Sequence, residues 1–164
     1  MILIALGGNL PHPVHGPPRA TLEAVLRAMP AAGITVLRRS RWYRSTPVPA
    51  SDQPDFVNGM VAVATGRGPE ELLLALHRLE REFGRVRGTR NAARTLDLDL
   101  IDYDGQIRDG GTPPTLPHPR MGARPFVLQP LIDIAPAWRH PVTGRTAAEM
   151  LAALPMEGRA IPLG

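Results

Sequence analysis

Apolar and polar positions along this chain switch between two periods, and each switch marks an element. Residues 1–6 form an unbroken apolar run closed by Gly7-Gly8-Asn9, the pattern of a short buried strand. Residues 10–18 carry Pro11, Pro13, Pro17 and Pro18 and read as loop. Leu22, Val25, Leu26 and Met29 then recur at i, i+3, i+4 and i+7, the stripe of an amphipathic helix over 19–29, which Pro30 and Gly33 end. Residues 34–45 are expected to form one strand, β-branched at its start and carrying Trp42-Tyr43 near its end. A proline-punctuated loop spans 46–54, and residues 56–65 give the next strand, broken over 66–68. Pro69 suits a first helical turn, Glu70-Glu71 complement the helix dipole, and Leu72, Leu76, Leu79 and Phe83 form a stripe that Gly84 stops. Residues 85–95 are polar loop. Apolar and acidic residues alternate over 96–103, the mark of a strand with two unlike faces, and Asp104-Gly105 is a turn signal that a short returning strand around Ile107 could follow. Beyond it lie proline-rich connections and short helices over 126–132 and 146–154.

The order strand, helix, strand, strand, helix, strand predicts an α+β fold. It is the ferredoxin-like α/β sandwich, an antiparallel sheet (βαββαβ core) with helices on one face, followed here by a C-terminal extension. A length of 164 residues fits a single domain, 1–164, and no internal repeat or linker divides it. Such a chain buries roughly 70% of its unfolded surface. No apolar run approaches the roughly 18 residues of a membrane span. The first ten residues lack a basic region and break at Gly7-Gly8, so no signal peptide is expected. The expectation is a soluble cytoplasmic protein with no membrane partner. With no cysteine, disulfides, thiolate metal sites and thiol nucleophiles are excluded together.

The charge pattern narrows the chemistry. All nineteen basic residues are arginine, so the lysine-bearing P-loop, a Schiff-base lysine and the kinase-type strand lysine are excluded. Coding bias toward Ala, Arg, Gly and Pro explains this composition as well as phosphate recognition does; the distribution is more telling. Arg78, Arg81, Arg85, Arg87, Arg90 and Arg94 fall within seventeen residues, and Asp97, Asp99, Asp102 and Asp104 follow directly. Abutting blocks of opposite charge suit a divalent cation that bridges carboxylates to a polyphosphate held by arginines. They do not suit a nucleic acid, whose backbone the carboxylates would repel.

Strand alternation places Asp97 and Asp99 on one face while Leu96, Leu98 and Leu100 enter the core. Two adjacent carboxylates repel unless a cation lies between them, and magnesium meets that need while keeping sites for waters and phosphate oxygens. For a bare Asp-x-Asp a solvated sheet edge is the commoner explanation, and it is the neighbouring arginines that shift the reading toward metal. Loop arginines from Gly84-Arg85-Val86-Arg87 through Arg90 to Arg94 suit closure over a bound nucleotide; an exposed basic loop is the alternative. His77 and Glu80, three apart on the helix flank, suit a base or ribose, or simply solvent. Asn58 offers a paired amide to a flat heterocycle, or sits on the open face of an edge strand. His12, His15 and His140 have no metal-ligand spacing.

Taken together, Gly7-x-Asn9, residues 45–48, Asp52-Gln53-Pro54-Asp55-Phe56-x-Asn58, Gly84-Arg85-Val86-Arg87, Arg94-Thr95-Leu96-Asp97-Leu98-Asp99 and Pro117-His118 resemble the 6-hydroxymethyl-7,8-dihydropterin pyrophosphokinase family of folate biosynthesis, in order and over nearly the whole chain. The resemblance implies transfer of pyrophosphate from ATP, as co-substrate, to the pterin hydroxymethyl group with release of AMP. It implies that Asp97 and Asp99 bind two Mg2+ ions, and that Arg85 and Arg94 act with them on the phosphates. His77, Glu80, Arg87, Arg94, His118 and Arg124 fall on nucleotide-binding positions. Ser45, Pro47, Val48, Phe56, Asn58, Asp97 and Phe126 fall on pterin-binding positions, Asn58 reading the ring edge and Phe126 stacking on its face. The expected partners are these two small molecules, and a monomer is expected. The chain departs from the family pattern in several places. Asn91 stands where a loop tryptophan is usual, His77 replaces glutamine, Phe56 tyrosine and Gly8 serine, and the stretch 11–18 is longer than in some relatives.

Two other readings fit the chain less well. An RNA-binding module on the same fold needs stacking aromatics in strand motifs, and this chain has only two Trp, two Tyr and three Phe, with no such motif. A catalytically silent relative would have no use for abutting carboxylates.

Overall fold

The computed structural model describes residues 1–47, 50–84 and 95–164. Strand β1 (Ile2–Gly8) leads through helix α1 (Pro18–Ala28) to β2 (Ile34–Arg39), β3 (Tyr43–Ser45) and β4 (Phe56–Thr65). Helix α2 (Pro69–Glu82) and β5 (Asp97–Tyr103) complete the βαββαβ unit, and α3 (Pro125–Ile134), α4 (Ala147–Ala152) and β6 (Ile161–Pro162) form the extension. The sheet runs β5-β1-β4-β3-β6, with β2 on the other half of β4, and the pairings are antiparallel. This is the ferredoxin-like arrangement expected.

One apolar cluster lies under α1 and α2. It takes Leu22, Val25 and Met29 from α1 and Leu72, Leu76 and Leu79 from α2, packed against Ile4, Leu6, Val61, Leu98 and Leu100. Both helices begin with proline in the first turn and bury the stripe their sequences carry. A second cluster lies on the opposite face, where Leu3, Ala5, Met60 and Ile101 meet Val127, Leu128 and Leu131 of α3 and Met150 and Leu151 of α4. The core helices thus share one face, and the extension covers part of the other.

Two local expectations are corrected, and one short strand is added. The strand expected over 34–45 is two strands along the same edge of β4, because residues 40–42 carry one residue more than β4 offers opposite them and Trp42 lies on the α1 side, where its indole N–H donates to Glu23 (2.8 Å). That position exists only because Gly59, across the sheet, has no side chain where the Trp42 ring lies. The returning strand expected near Ile107 is only an isolated bridge, Arg108 to Leu116. And β6, two residues long, pairs with β3 although no periodicity marks it.

Candidate functional site

The alternation of β5 decides what each face receives. Leu96, Leu98 and Leu100 are buried toward α2, so Asp97 and Asp99 stand on the other face. In register, Gly7 pairs with Asp97 on one side and Asn58 on the other, while Ala5 pairs with Asp99. A carboxylate, a bare backbone and an amide therefore lie side by side across three strands. Phe126, near the start of α3, closes the row from above; these residues line a shallow cleft with Ala5, Leu6 and Val127. Gly7 makes the row possible, since a Cβ there would lie 2.7 Å from Asn58 Nδ2.

The amide is fixed in orientation. Asn58 is 7% exposed, and its Oδ1 accepts from Ser45 Oγ at 2.6 Å, which leaves Nδ2 on the Gly7 side. Phe56, two residues earlier on the same strand face, is half-buried, as is Pro47. Asn9, buried just past β1, donates its amide to Gln53 Oε1 (3.1 Å) and Pro54 O (3.0 Å), tying the 50–55 loop to the end of the central strand.

Positive charge gathers around Asp99. Arg124 Nη1 lies 3.7 Å from Asp99 Oδ2, and its guanidinium sits over the Phe126 ring at 5.6 Å. His118 Nε2 approaches Asp99 Oδ1 to 3.9 Å. Burial, reinforced by Arg124 and Arg120 and opposed by Asp97, pushes the His118 imidazole down to about 4. At neutral pH it is therefore uncharged. Its Nδ1 accepts from the Arg120 amide (3.2 Å), which leaves the ring proton on Nε2, toward Asp99.

The acidic block divides. A bulge at Ile101 shifts the register of β5 against β1. Beyond it Asp102 is buried and accepts from Trp138 Nε1 (2.8 Å) and the Gly105 amide (3.1 Å). Asp104 pairs with the amino terminus at 2.9 Å. Only Asp97 and Asp99 reach the cleft.

Glu80, which the resemblance places among the nucleotide-binding positions, is 1% exposed, and its Oε2 accepts from the Leu98 amide at 2.9 Å. β5 is an edge of the sheet, so that amide needs an acceptor that no further strand supplies. Glu80 thus grips the backbone between the two aspartates. His77, one turn earlier, is half-buried. Arg85, Arg87, Asn91, Arg94 and Val48 lie outside the described residues; Thr95 Oγ1 donates to Phe83 O (2.9 Å), joining the two residues that flank 84–94. Sequence reasoning also passed over Gly7 as a site residue, although a Gly-Gly pair ending a central strand was its signal.

Among the described residues no three His, Cys, Asp or Glu side chains gather into a metal cage. Two adjacent carboxylates fit a hard divalent cation that takes its other ligands from phosphate oxygens and water.

The family model for 7,8-dihydro-6-hydroxymethylpterin-pyrophosphokinase matches residues 3–136. A 2-amino-4-hydroxy-6-hydroxymethyldihydropteridine pyrophosphokinase of Pseudomonas aeruginosa is 44% identical over 160 residues, covering 96% of this chain and 93% of its own. The Synechocystis protein of that name is 42% identical over 151 residues, covering 91% and 73%. Among solved structures, Plasmodium falciparum HPPK-DHPS with SDX-DHP superposes with a TM-score of 0.68 at 12% identity, over 92% of this chain and 43% of that one. At that identity it supports the fold alone.

Proposed function

Since this chain belongs to the 7,8-dihydro-6-hydroxymethylpterin-pyrophosphokinase family, and so transfers pyrophosphate from ATP to hydroxymethyldihydropterin in folate biosynthesis, we propose that the Asp97–Gly7–Asn58 row is where its two substrates meet. The observation that carries this reading is the convergence of an oriented amide, a phenyl ring and two carboxylates on one cleft.

In this reading the pterin lies flat between Phe126 and the strand floor. Asn58, held by Ser45, reads the ring edge, and Phe56, Pro47 and Val48 complete the pocket. The hydroxymethyl oxygen then points along the row toward Asp97. Asp97 and Asp99 would hold two Mg2+ ions, whose charge would offset that of the phosphate oxygens. ATP lies on the β5 side, against His77, Arg87, His118 and Arg124. Glu80 serves by fixing the strand that carries both carboxylates, and is a positioning residue.

The reaction joins the hydroxymethyl oxygen to the β-phosphorus, breaks the bond to the bridging oxygen on the α side, and releases AMP, the hydroxyl proton passing to solvent. Such a transfer needs alignment and neutralised charge more than a strong base. Arg124 supplies fixed charge at the cleft rim, and Arg85 and Arg94 supply the remainder on the phosphates. His118, uncharged, donates its Nε2 proton as a hydrogen bond. The chain acts as one domain, 1–164, as a monomer in the cytoplasm.

The test is AMP release from ATP, Mg2+ and the pterin. Asp99→Asn is expected to lower kcat/KM by about 10³-fold or more with the melting temperature nearly unchanged. Asn58→Ala should chiefly raise the KM for the pterin. Parent-like rates in Asp99→Asn would exclude the carboxylate pair from the chemistry.

A further inference from the structure

Helix α3 carries Phe126 at one end and is held at the other by a polar cluster that the reaction does not use. Tyr43 is 3% exposed, and its hydroxyl lies 2.9 Å from both Asp133 carboxylate oxygens. Arg41 joins them: its backbone amide (3.2 Å), Nε (3.2 Å) and Nη2 (3.0 Å) all donate to Asp133, and Nη2 also donates to the tyrosine oxygen (2.9 Å). Both Asp133 carboxylate oxygens and the Tyr43 hydroxyl are thus engaged, with the Arg41 side chain closing the cluster from the exposed side, and such mutually bonded groups favour one geometry.

Two placements connect this cluster to the cleft. Tyr43 is the register partner of Asn58, so the backbone row that presents the amide also presents the tyrosine. Asp133 lies seven residues after Phe126, two turns along the same helix face and about 10 Å away. Between them Pro130 stands inside the helix. It has no N–H to return to the Phe126 carbonyl, so one rung between the two ends is missing. The phenyl-bearing turn is therefore less firmly tied to its own helix than an unbroken ladder would make it, and the anchoring of the distal half counts for more.

We propose that the Tyr43–Asp133–Arg41 cluster is a positioning element for substrate recognition: it sets the spacing between the Phe126 ring and the Asn58 amide, and so tunes affinity for the pterin but not for ATP. The inference rests on the reading of Phe126 and Asn58 as the pterin pocket. The gap between a stacking face and an edge-reading amide must match a flat heterocycle to within a fraction of an ångström, since contact energy falls steeply with separation. A single row that carries both the amide and the anchor of the ring holds that gap fixed when the rest of the sheet flexes.

The test is a double-mutant cycle on pterin affinity, read by calorimetry in the full chain with 6-hydroxymethylpterin, with an ATP analogue and Mg2+ titrated in parallel. Tyr43→Phe removes only the hydroxyl and is expected to weaken pterin binding by about 3- to 10-fold, the range of one hydrogen bond. ATP-analogue affinity should hold within about twofold. In a Phe126→Ala background the same change should matter by less than about twofold, because the ring whose place it sets is gone. Should Tyr43→Phe melt too low to titrate, Asp133→Asn, which keeps an acceptor for the hydroxyl but loses the Arg41 ion pair, enters the same cycle with the same expectation. Equal losses in both backgrounds, or parallel loss of ATP-analogue affinity, would overturn the proposal while leaving the pocket intact. If Phe126→Ala alone leaves pterin affinity unchanged, the pocket reading and the proposal fall together.

Discussion

The two faces of the β5–β1–β4 sheet are made by the same three strands and do opposite work. On the α1/α2 side, Ile4, Leu6, Val61, Leu98 and Leu100 are sealed under two helices. On the other side the apolar cover of α3 stops at Ala5 and Met60, and the next positions are Asp97, Gly7 and Asn58. Under the proposed reading, stability and chemistry are separated by a strand's period of two: Leu98 belongs to the core, and its neighbours Asp97 and Asp99 to the cleft. The lesson is that a site built on alternate strand positions inherits the rigidity of the core beneath it without exposing that core. Glu80 is the link between the two, being a helix residue of the packed face that holds the backbone of the reactive one.

Substitutions that strike one face should leave the other's property nearly intact. After the loss of a carboxylate, the largest effect is expected from Gly7→Val, which drives a side chain against the Asn58 amide. It should lower kcat/KM by about 10²-fold or more, with thermal stability falling by only about 1–3 kcal/mol. Leu98→Ala should do the reverse, costing about 2–5 kcal/mol in denaturant unfolding, while pterin and ATP affinities below the transition stay within a few-fold. Glu80→Ala breaks the separation: a buried amide loses its acceptor, so stability should fall by about 1–3 kcal/mol and nucleotide affinity should fall with it. Unchanged nucleotide binding in that variant would show that the two faces are not linked through Glu80.

The smallest effect concerns acid. Glu23, on the packed face, is held down to about 2 by hydrogen bonds from Arg39 and Trp42, which outweigh its burial. A carboxyl whose folded pKa is depressed stabilises above its unfolded value and loses that contribution as pH falls toward the folded one. Melting temperature should therefore drop between about pH 4.5 and 2 in the parent protein. Glu23→Gln should flatten that drop by on the order of 1 kcal/mol, since the pair is partly open to solvent. An identical acid profile in both proteins would remove Glu23 from the account.

Much of this arrangement is legible in the sequence, because alternation is local. Leu96 through Asp99 declares both its faces, and the helical stripes of α1 and α2 name the residues they bury. What is not legible depends on partners far along the chain. The break before Trp42 needs the bare surface of Gly59. The fate of Asp102 needs a bulge and an indole 36 residues away. Glu80 looks like a polar flank position until β5 proves to be an edge. Tyr43 and Asp133, 90 residues apart, carry no mark of their pairing, since tyrosine in a strand and aspartate near a helix end are each unremarkable alone.

The most direct test of the carboxylate pair is calorimetric titration of a non-hydrolysable ATP analogue with and without Mg2+, in the parent and in Asp97→Asn. The parent should bind tightly only with the metal, and the variant should bind about 100-fold more weakly with little further response to Mg2+. Equal affinity and equal metal dependence in the two proteins would contradict the account.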